Sequence, residues 1–171
     1  MAVLQKLADV KRKQMPLVWL DEVVFTKQTI QKNTYSGPNY KIKVEQPDLF
    51  VGYRTVIAAV SSTRGLVYID SKEEVTNFDR FHPYIKKLYQ KMGYRPFALF
   101  MDQLTVHKMK RMHELYDKQR TLPIFNVTAS PDFNCIEAVF SQVKNVFRRR
   151  RLTHLANSRQ FDLDNEVALA F

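Results

Sequence analysis

The chain has a single cysteine and only four glycines among 171 residues, and it lacks any apolar run of roughly the 18 residues that a membrane helix needs. One thiol, Cys135, excludes an internal disulfide and a cysteine zinc cluster. It suits a reducing intracellular compartment and reads as a small, half-buried apolar residue. No membrane-spanning form is expected, and the start Met1-Ala2-Val3-Leu4-Gln5-Lys6 lacks the apolar core of a secretory signal. Acidic residues are also scarce, 17 against 27 basic ones, which leaves a formal charge of +10. Such a surplus favours a polyanionic partner, nucleic acid or an acidic membrane face, without choosing between them. No repeat or low-complexity tract appears apart from the run Arg148 to Arg151. With 45% hydrophobic and 26% charged residues, this length suits one domain with a substantial core.

Against so few acids, the position of three of them is informative. Asp21 follows Leu17-Val18-Trp19-Leu20, Asp102 ends Ala98-Leu99-Phe100-Met101, and Glu137 follows Phe133-Asn134-Cys135-Ile136. A carboxylate taken out of water loses several kcal/mol of hydration and normally protonates, pairs or coordinates a cation. Three such positions suggest a shared cation. Taken singly, each has a plainer reading: a paired acid at a strand end, a turn-initiating Asp, and a first-turn acid favoured by the helix dipole. Glu22 alternates to the opposite strand face from Asp21, which favours Asp21 as the ligand.

The order of elements places these acids. Leu17 to Phe25 reads as a buried strand, and Asn33 to Asp48, with Gly37, Pro38 and Pro47, reads as an irregular excursion. Arg54 to Val60 and Leu66 to Ile69 read as strands joined by a hairpin-length turn. Phe78, Phe81, Ile85, Leu88, Tyr89 and Met92 recur at helical spacing, and Gly93 stands at the stop. Phe97 to Met101 reads as a central strand, His107 to Arg120 as a helix and Leu122 to Val127 as a strand. Ser130-Pro131-Asp132 precedes a last helix with the stripe Ile136, Val139, Phe140, Val143, Val146 and Phe147. Three strands, helix, strand, helix, strand, helix is similar to the order of a ribonuclease-H-like domain, an α/β fold with a mixed five-stranded sheet flanked by helices. There the first and fourth strands are neighbours, so Asp21 and Asp102 would face one another about 5 Å apart, with Glu137 closing the site. The expected division is a basic lead-in or linker remnant at 1–16, the domain at 17–152 and a C-terminal tail at 153–171.

Local motifs sharpen the resemblance. Val18-Trp19-Leu20-Asp21-Glu22 is similar to the hydrophobic strand ending in Asp-Glu of mariner-type (Tc/mariner) transposase catalytic domains. Met101-Asp102-Gln103-Leu104-Thr105-Val106-His107-Lys108 resembles their Asp-Asn-Ala-x-x-His-Lys motif. Ser130-Pro131-Asp132-Phe133-Asn134-Cys135-Ile136-Glu137 resembles Ser-Pro-x-Leu-Asn-Pro-Ile-Glu, and 34 residues separate Asp102 from Glu137, a spacing of that family. Gln103, Cys135 and Phe140 depart from the usual Asn, Pro and Trp, and none of these departures removes a ligand.

The resemblance implies a DDE-type endonuclease that cleaves DNA strands and transfers them, with two Mg²⁺ or Mn²⁺ ions about 4 Å apart. Asp21 would bridge both ions, and Asp102 and Glu137 would each complete one side. A degenerate or host-retained remnant that binds nucleic acid or a partner protein without turnover is the alternative. The implied partner is DNA, with a homodimer in the DNA complex, and the location is intracellular, the nucleus in a eukaryote. The helix-turn-helix module that the family carries before this domain has no counterpart in the sixteen residues ahead of the first strand. His107 reads as a site-edge residue or as a cap, and Asn134 as a helix cap whose neighbouring backbone can also meet phosphate. Lys144 and Arg148, Arg149, Arg150 and Arg151 read as a phosphate-tracking patch, or as a solvated helix end or localisation signal.

Overall fold

The first strand, β1 (Leu17–Thr26), serves two cores at once because its side chains alternate between the faces of the sheet. Val18 and Leu20 point into one apolar cluster, and Val23 and Phe25 into another on the opposite face. The computed structural model describes residues 2–26, 52–127, 130, 133–157 and 161–171. The expected excursion at 33–48, with Tyr35, Tyr40, Lys41 and Lys43, lies outside the described residues.

The remaining strands are β2 (Tyr53–Ser61), β3 (Gly65–Lys72), β4 (Ala98–Met101) and β5 (Leu122–Phe125), arranged in the order β3-β2-β1-β4-β5. β1, β2 and β3 form the expected antiparallel meander, and β1–β4 and β4–β5 pair in parallel. This is the mixed five-stranded sheet of a ribonuclease-H-like fold. Gly65 closes the β2–β3 turn with a φ of 69°, where a side chain would be strained. Pro123 is tolerated within β5 because that strand lies at the sheet edge.

Helix α2 (Phe78–Lys91) starts on Asn77, whose side chain accepts the Arg80 N–H, and stops at Gly93, φ 71°. Its Phe81, Tyr84, Ile85 and Leu88 cover Val18 and Leu20. The expected helix from His107 is instead a short 3-10 turn, Thr105–Lys108, followed by α3 (Lys110–Lys118). Helix α4 (Ile136–Ala156) covers the other face with Ile136, Phe140, Val143 and Phe147. Val146, included in the sequence stripe, is 42% exposed because it falls on the edge of that face.

Both ends of the chain carry helices whose apolar residues pack on the sheet or on α4. Residues Ala2–Arg12 form a helix, α1, whose Val3, Leu7 and Val10 pack on Ala98, Phe100 and Ile124. At the other end Phe161, Leu163, Val167 and Phe171 join the α4 core, and α5 (Leu163–Ala168) lies beside β2 and α4. Glu166 of α5 is buried yet satisfied, accepting from Arg150 and meeting His154 Nε2 at 3.1 Å. A charge-assisted pair of this kind is costly to break because the buried partner is left alone.

The Phe147 ring lies 5.1 Å from Phe25, tilted, and 5.6 Å from Phe161, edge-on, joining β1, α4 and the chain end. Phe147→Ala is expected to cost about 3–5 kcal/mol in denaturant unfolding. The Arg150 hydrogen bond holds the Glu166 carboxyl below its ordinary value of 4.5. Its stabilisation is therefore complete above the unfolded-state value and is lost as pH falls through the lower, folded one. Glu166→Gln should melt below the parent at neutral pH, and the gap should narrow as the pH drops below 4.5.

Candidate functional site at the β1–β4 junction

The parallel register pairs Leu17 with Ala98, Val18 with Leu99 and Trp19 with Phe100; carried two residues further, it brings Asp21 level with Asp102, which stands one residue past the end of β4. Asp21 lies mid-strand with Ala58 on its other side. Its Oδ1 accepts the Glu22 N–H at 2.8 Å, and its Oδ2 accepts from Asn134 Nδ2 at 2.7 Å. Asn134 is itself buried, and its Oδ1 has no hydrogen-bond partner among the described residues. It thus ties the residues just ahead of α4 to the strand, a role beyond helix capping. Glu137 sits one residue into α4, exposed, with its N–H donating to the Asn134 carbonyl at 3.1 Å.

These positions converge electrostatically. Burial pushes the Asp21 carboxyl up to about 7 against the Glu22 N–H that lowers it, and the charges of Glu22, Asp102 and Glu137 add to the rise. Both other members of the expected triad therefore act on Asp21. Asp102 behaves oppositely. Burial works against its charge, but His107, the Leu104 N–H and Lys108 outweigh this and hold it below its ordinary value.

His107 is fully buried beneath the site. Its ring lies 4.4 Å from that of Phe81 on α2, and its carbonyl accepts the Tyr116 hydroxyl of α3 at 3.3 Å. Nδ1 is 2.8 Å from Asp102 Oδ1, off the line of the ring N–H, and Nε2 is 3.3 Å from Glu22 Oε1. Burial disfavours the imidazolium, but two carboxylates facing both nitrogens prevail and raise His107 to about 9. Glu22, Asp102 and His107 place one ligand atom each within 4.8 Å of one another, a grouping that could hold a cation. The sequence reading did not anticipate the reach of Glu22 to His107, since strand alternation turns Glu22 to the α2 face. The available signal was the Asp-Glu pair itself, which puts an acid on each face of β1.

The loops around the site are tied by amides. Gln103 Nε2 donates to the Asn126 carbonyl at 2.8 Å, and Asn126 Nδ2 donates to the Ser130 carbonyl at 2.8 Å. Cys135, expected to be half-buried, is exposed. The basic candidates on α4 divide. Lys144 and Arg148 are half-buried and Arg149 is exposed, whereas Arg150 pairs with Glu166 and Arg151 is buried with its guanidinium 4.4 Å from the Phe161 ring centre. The last two are occupied in seating the C-terminal segment on α4.

Sheet order, strand directions and the helices on both faces define a ribonuclease-H-like domain with acids at the junction of its two central strands. The profile of the DDE superfamily endonuclease family matches residues 16–157, and the chain belongs to that family. No curated protein matches the chain in sequence. Among solved structures, the Mos1 strand transfer complex is 16% identical at a TM-score of 0.69, over 97% of this chain and 49% of that one. The catalytic domain of Mos1 mariner transposase is 13% identical at a TM-score of 0.63, over 95% of this chain and 72% of the other. A chain of the simian T-cell lymphotropic virus intasome is 11% identical at 0.61, over 90% and 46%. The fold is therefore shared with these proteins, and the chain spans about half the length of the first Mos1 chains it matches, 47% to 55%. No helix among the described residues is long and apolar enough to cross a membrane.

The raised carboxyl of Asp21 has a consequence for stability. The unfolded chain ionises this group near 3.8 and the folded chain near 7, so its contribution is complete below the first value and lost as pH rises through the second. In metal-free buffer at pH 8, Asp21→Asn should melt above the parent by about 2–4 °C for each kcal/mol relieved. At pH 4 the two should melt together.

Proposed function

We propose that the chain is the catalytic domain of a DDE-type transposase that cuts DNA and transfers the cut strand, with Asp21, Asp102 and Glu137 as its catalytic and metal-binding residues. The observation that supports this most directly is the mutual action of the three carboxylates, two of which raise the proton affinity of the third. Among the described residues no cation acts on the Asp21 carboxyl, so an added one suits it, and carboxylate oxygens suit Mg²⁺ or Mn²⁺. Asp102 offers an oxygen, Oδ2, without a hydrogen bond among the described residues, which fits the same use.

Divalent ions bound there would supply charge relief at the leaving oxygen and lower the pKa of an attacking water or DNA 3'-hydroxyl. Asp21, nearest the middle of the sheet, would be shared, and Asp102 and Glu137 would flank it. Asn134 orients the Asp21 carboxylate through its side-chain amide. Lys144, Arg148 and Arg149, left over from the packing of the chain end, would meet the DNA backbone with little sequence preference. The same reading places the protein with DNA inside the cell, the nucleus in a eukaryote, and pairs two copies in the DNA complex.

The test is a Mg²⁺- or Mn²⁺-dependent nicking and strand-transfer assay on duplex DNA. Asp21→Asn, Asp102→Asn and Glu137→Gln are each expected to reduce the rate by more than about 100-fold. Parent and variants that bind DNA alike and turn over equally slowly would instead support a binding remnant.

A further inference from the structure

We infer that His107 is a positioning residue for Asp102: it locks one carboxylate oxygen so that only the other is presented to a divalent cation, while Glu22 holds the opposite side of its ring. The inference rests on the reading of Asp102 as a metal ligand and adds how that ligand is aimed. Oδ1 of Asp102 accepts the Leu104 N–H at 3.1 Å and lies 2.8 Å from His107 Nδ1, an ion-pair contact rather than a directed hydrogen bond. Oδ2 has no such partner among the described residues, and the Asp102 side chain is 40% exposed. A carboxylate held by one oxygen cannot rotate to chelate with both, so it binds a cation through a single atom in one direction.

The anchor is unusually well fixed. Asp102 itself stands on a loop, one residue past the end of β4. His107 is gripped by Phe81 from α2, by Tyr116 from α3 and by Glu22 from β1. Rigidity of the buried elements is thereby passed to a ligand whose own backbone has left the sheet, as partners of metal-bound groups commonly do. Both ring nitrogens face carboxylates, at 2.8 Å and 3.3 Å, so a cation would have to displace one of these contacts to reach the ring. This separates positioning from direct ligation by His107, the other arrangement that the closeness of Glu22, Asp102 and His107 allows.

Two isosteric substitutions separate the two ends of the ring. Asparagine at this position places its amide near the site of Nδ1 and can still reach Asp102, whereas glutamine places its amide near Nε2 and reaches only Glu22. Mn²⁺ affinity, read by electron paramagnetic resonance alongside thermal melting, should fall about 10–100-fold in His107→Gln and stay within about 3-fold of the parent in His107→Asn. Equal losses in both would reduce His107 to core filling and overturn the inference.

Asp102→Asn is the control for the underlying reading. If it leaves Mn²⁺ binding intact, Asp102 is not a ligand. If it weakens binding while His107→Gln does not, the ligand stands and the positioning role fails. The Mn²⁺-loaded parent gives an answer that depends on no variant folding. Its electron spin echo modulation should show no directly bonded imidazole nitrogen, and finding one would make His107 a ligand instead.

Discussion

The parallel pairing of β1 with β4 is the constraint on which the site depends, because it brings two aspartates to the same level of the sheet. Neither residue could be placed there cheaply by itself. Asp21 lies between β2 and β4 with little water, and its carboxyl responds by holding its proton to about pH 7. The surrounding fold supplies the compensation. Apolar residues on both faces of β1 bury Val18, Leu20, Val23 and Phe25, and each such side chain contributes roughly 1.5–3 kcal/mol. The cost of ionising Asp21 is smaller than that total. A charged junction can therefore persist inside a stable sheet.

The two cores also treat the two aspartates differently. From the α2 side comes His107, which draws Asp102 toward its charged form and carries Glu22 with it. From the α4 side comes Asn134, which orients Asp21 without neutralising it. One carboxylate is thus ionised across the ordinary range while its neighbour switches near neutrality. An arrangement in which neighbouring acids have their proton affinities driven apart is typical of sites that handle charge. At this junction it leaves negative charge in need of a cation. The Arg150–Glu166 pair shows the opposite solution further along α4, where a protein cation and a protein anion satisfy one another.

Much of this was legible in the residues. Strand alternation and helical stripes placed every strand and three of the helices, because those patterns report which faces are apolar and the cores followed them. Asp21, Asp102 and Glu137 stood out as acids breaking apolar sequence. Helix α1 was missed since its basic residues, Lys6, Lys11 and Arg12, mask a short stripe of Val3, Leu7 and Val10. The C-terminal segment was missed for a related reason: Phe161, Leu163, Val167 and Phe171 are apolar at a spacing too irregular to announce a core element. In the arginine run, adjacent identical side chains face different surroundings around the helix. Only the path of the chain end decides that Arg150 and Arg151 turn inward.

Composition and periodicity by themselves determined the order of elements and singled out the three acids, since both follow from local geometry and from the cost of burying charge, while the mixed sheet was what the resemblance to ribonuclease-H-like domains implied. Which groups touch each acid was decided by tertiary structure alone. His107 is five residues from Asp102 but 85 from Glu22, and Asn134 is 113 from Asp21. Contacts over such distances exist only once helices from both sides have closed on the sheet, because a side-chain hydrogen bond requires its partners within a few ångströms and no local pattern encodes that separation.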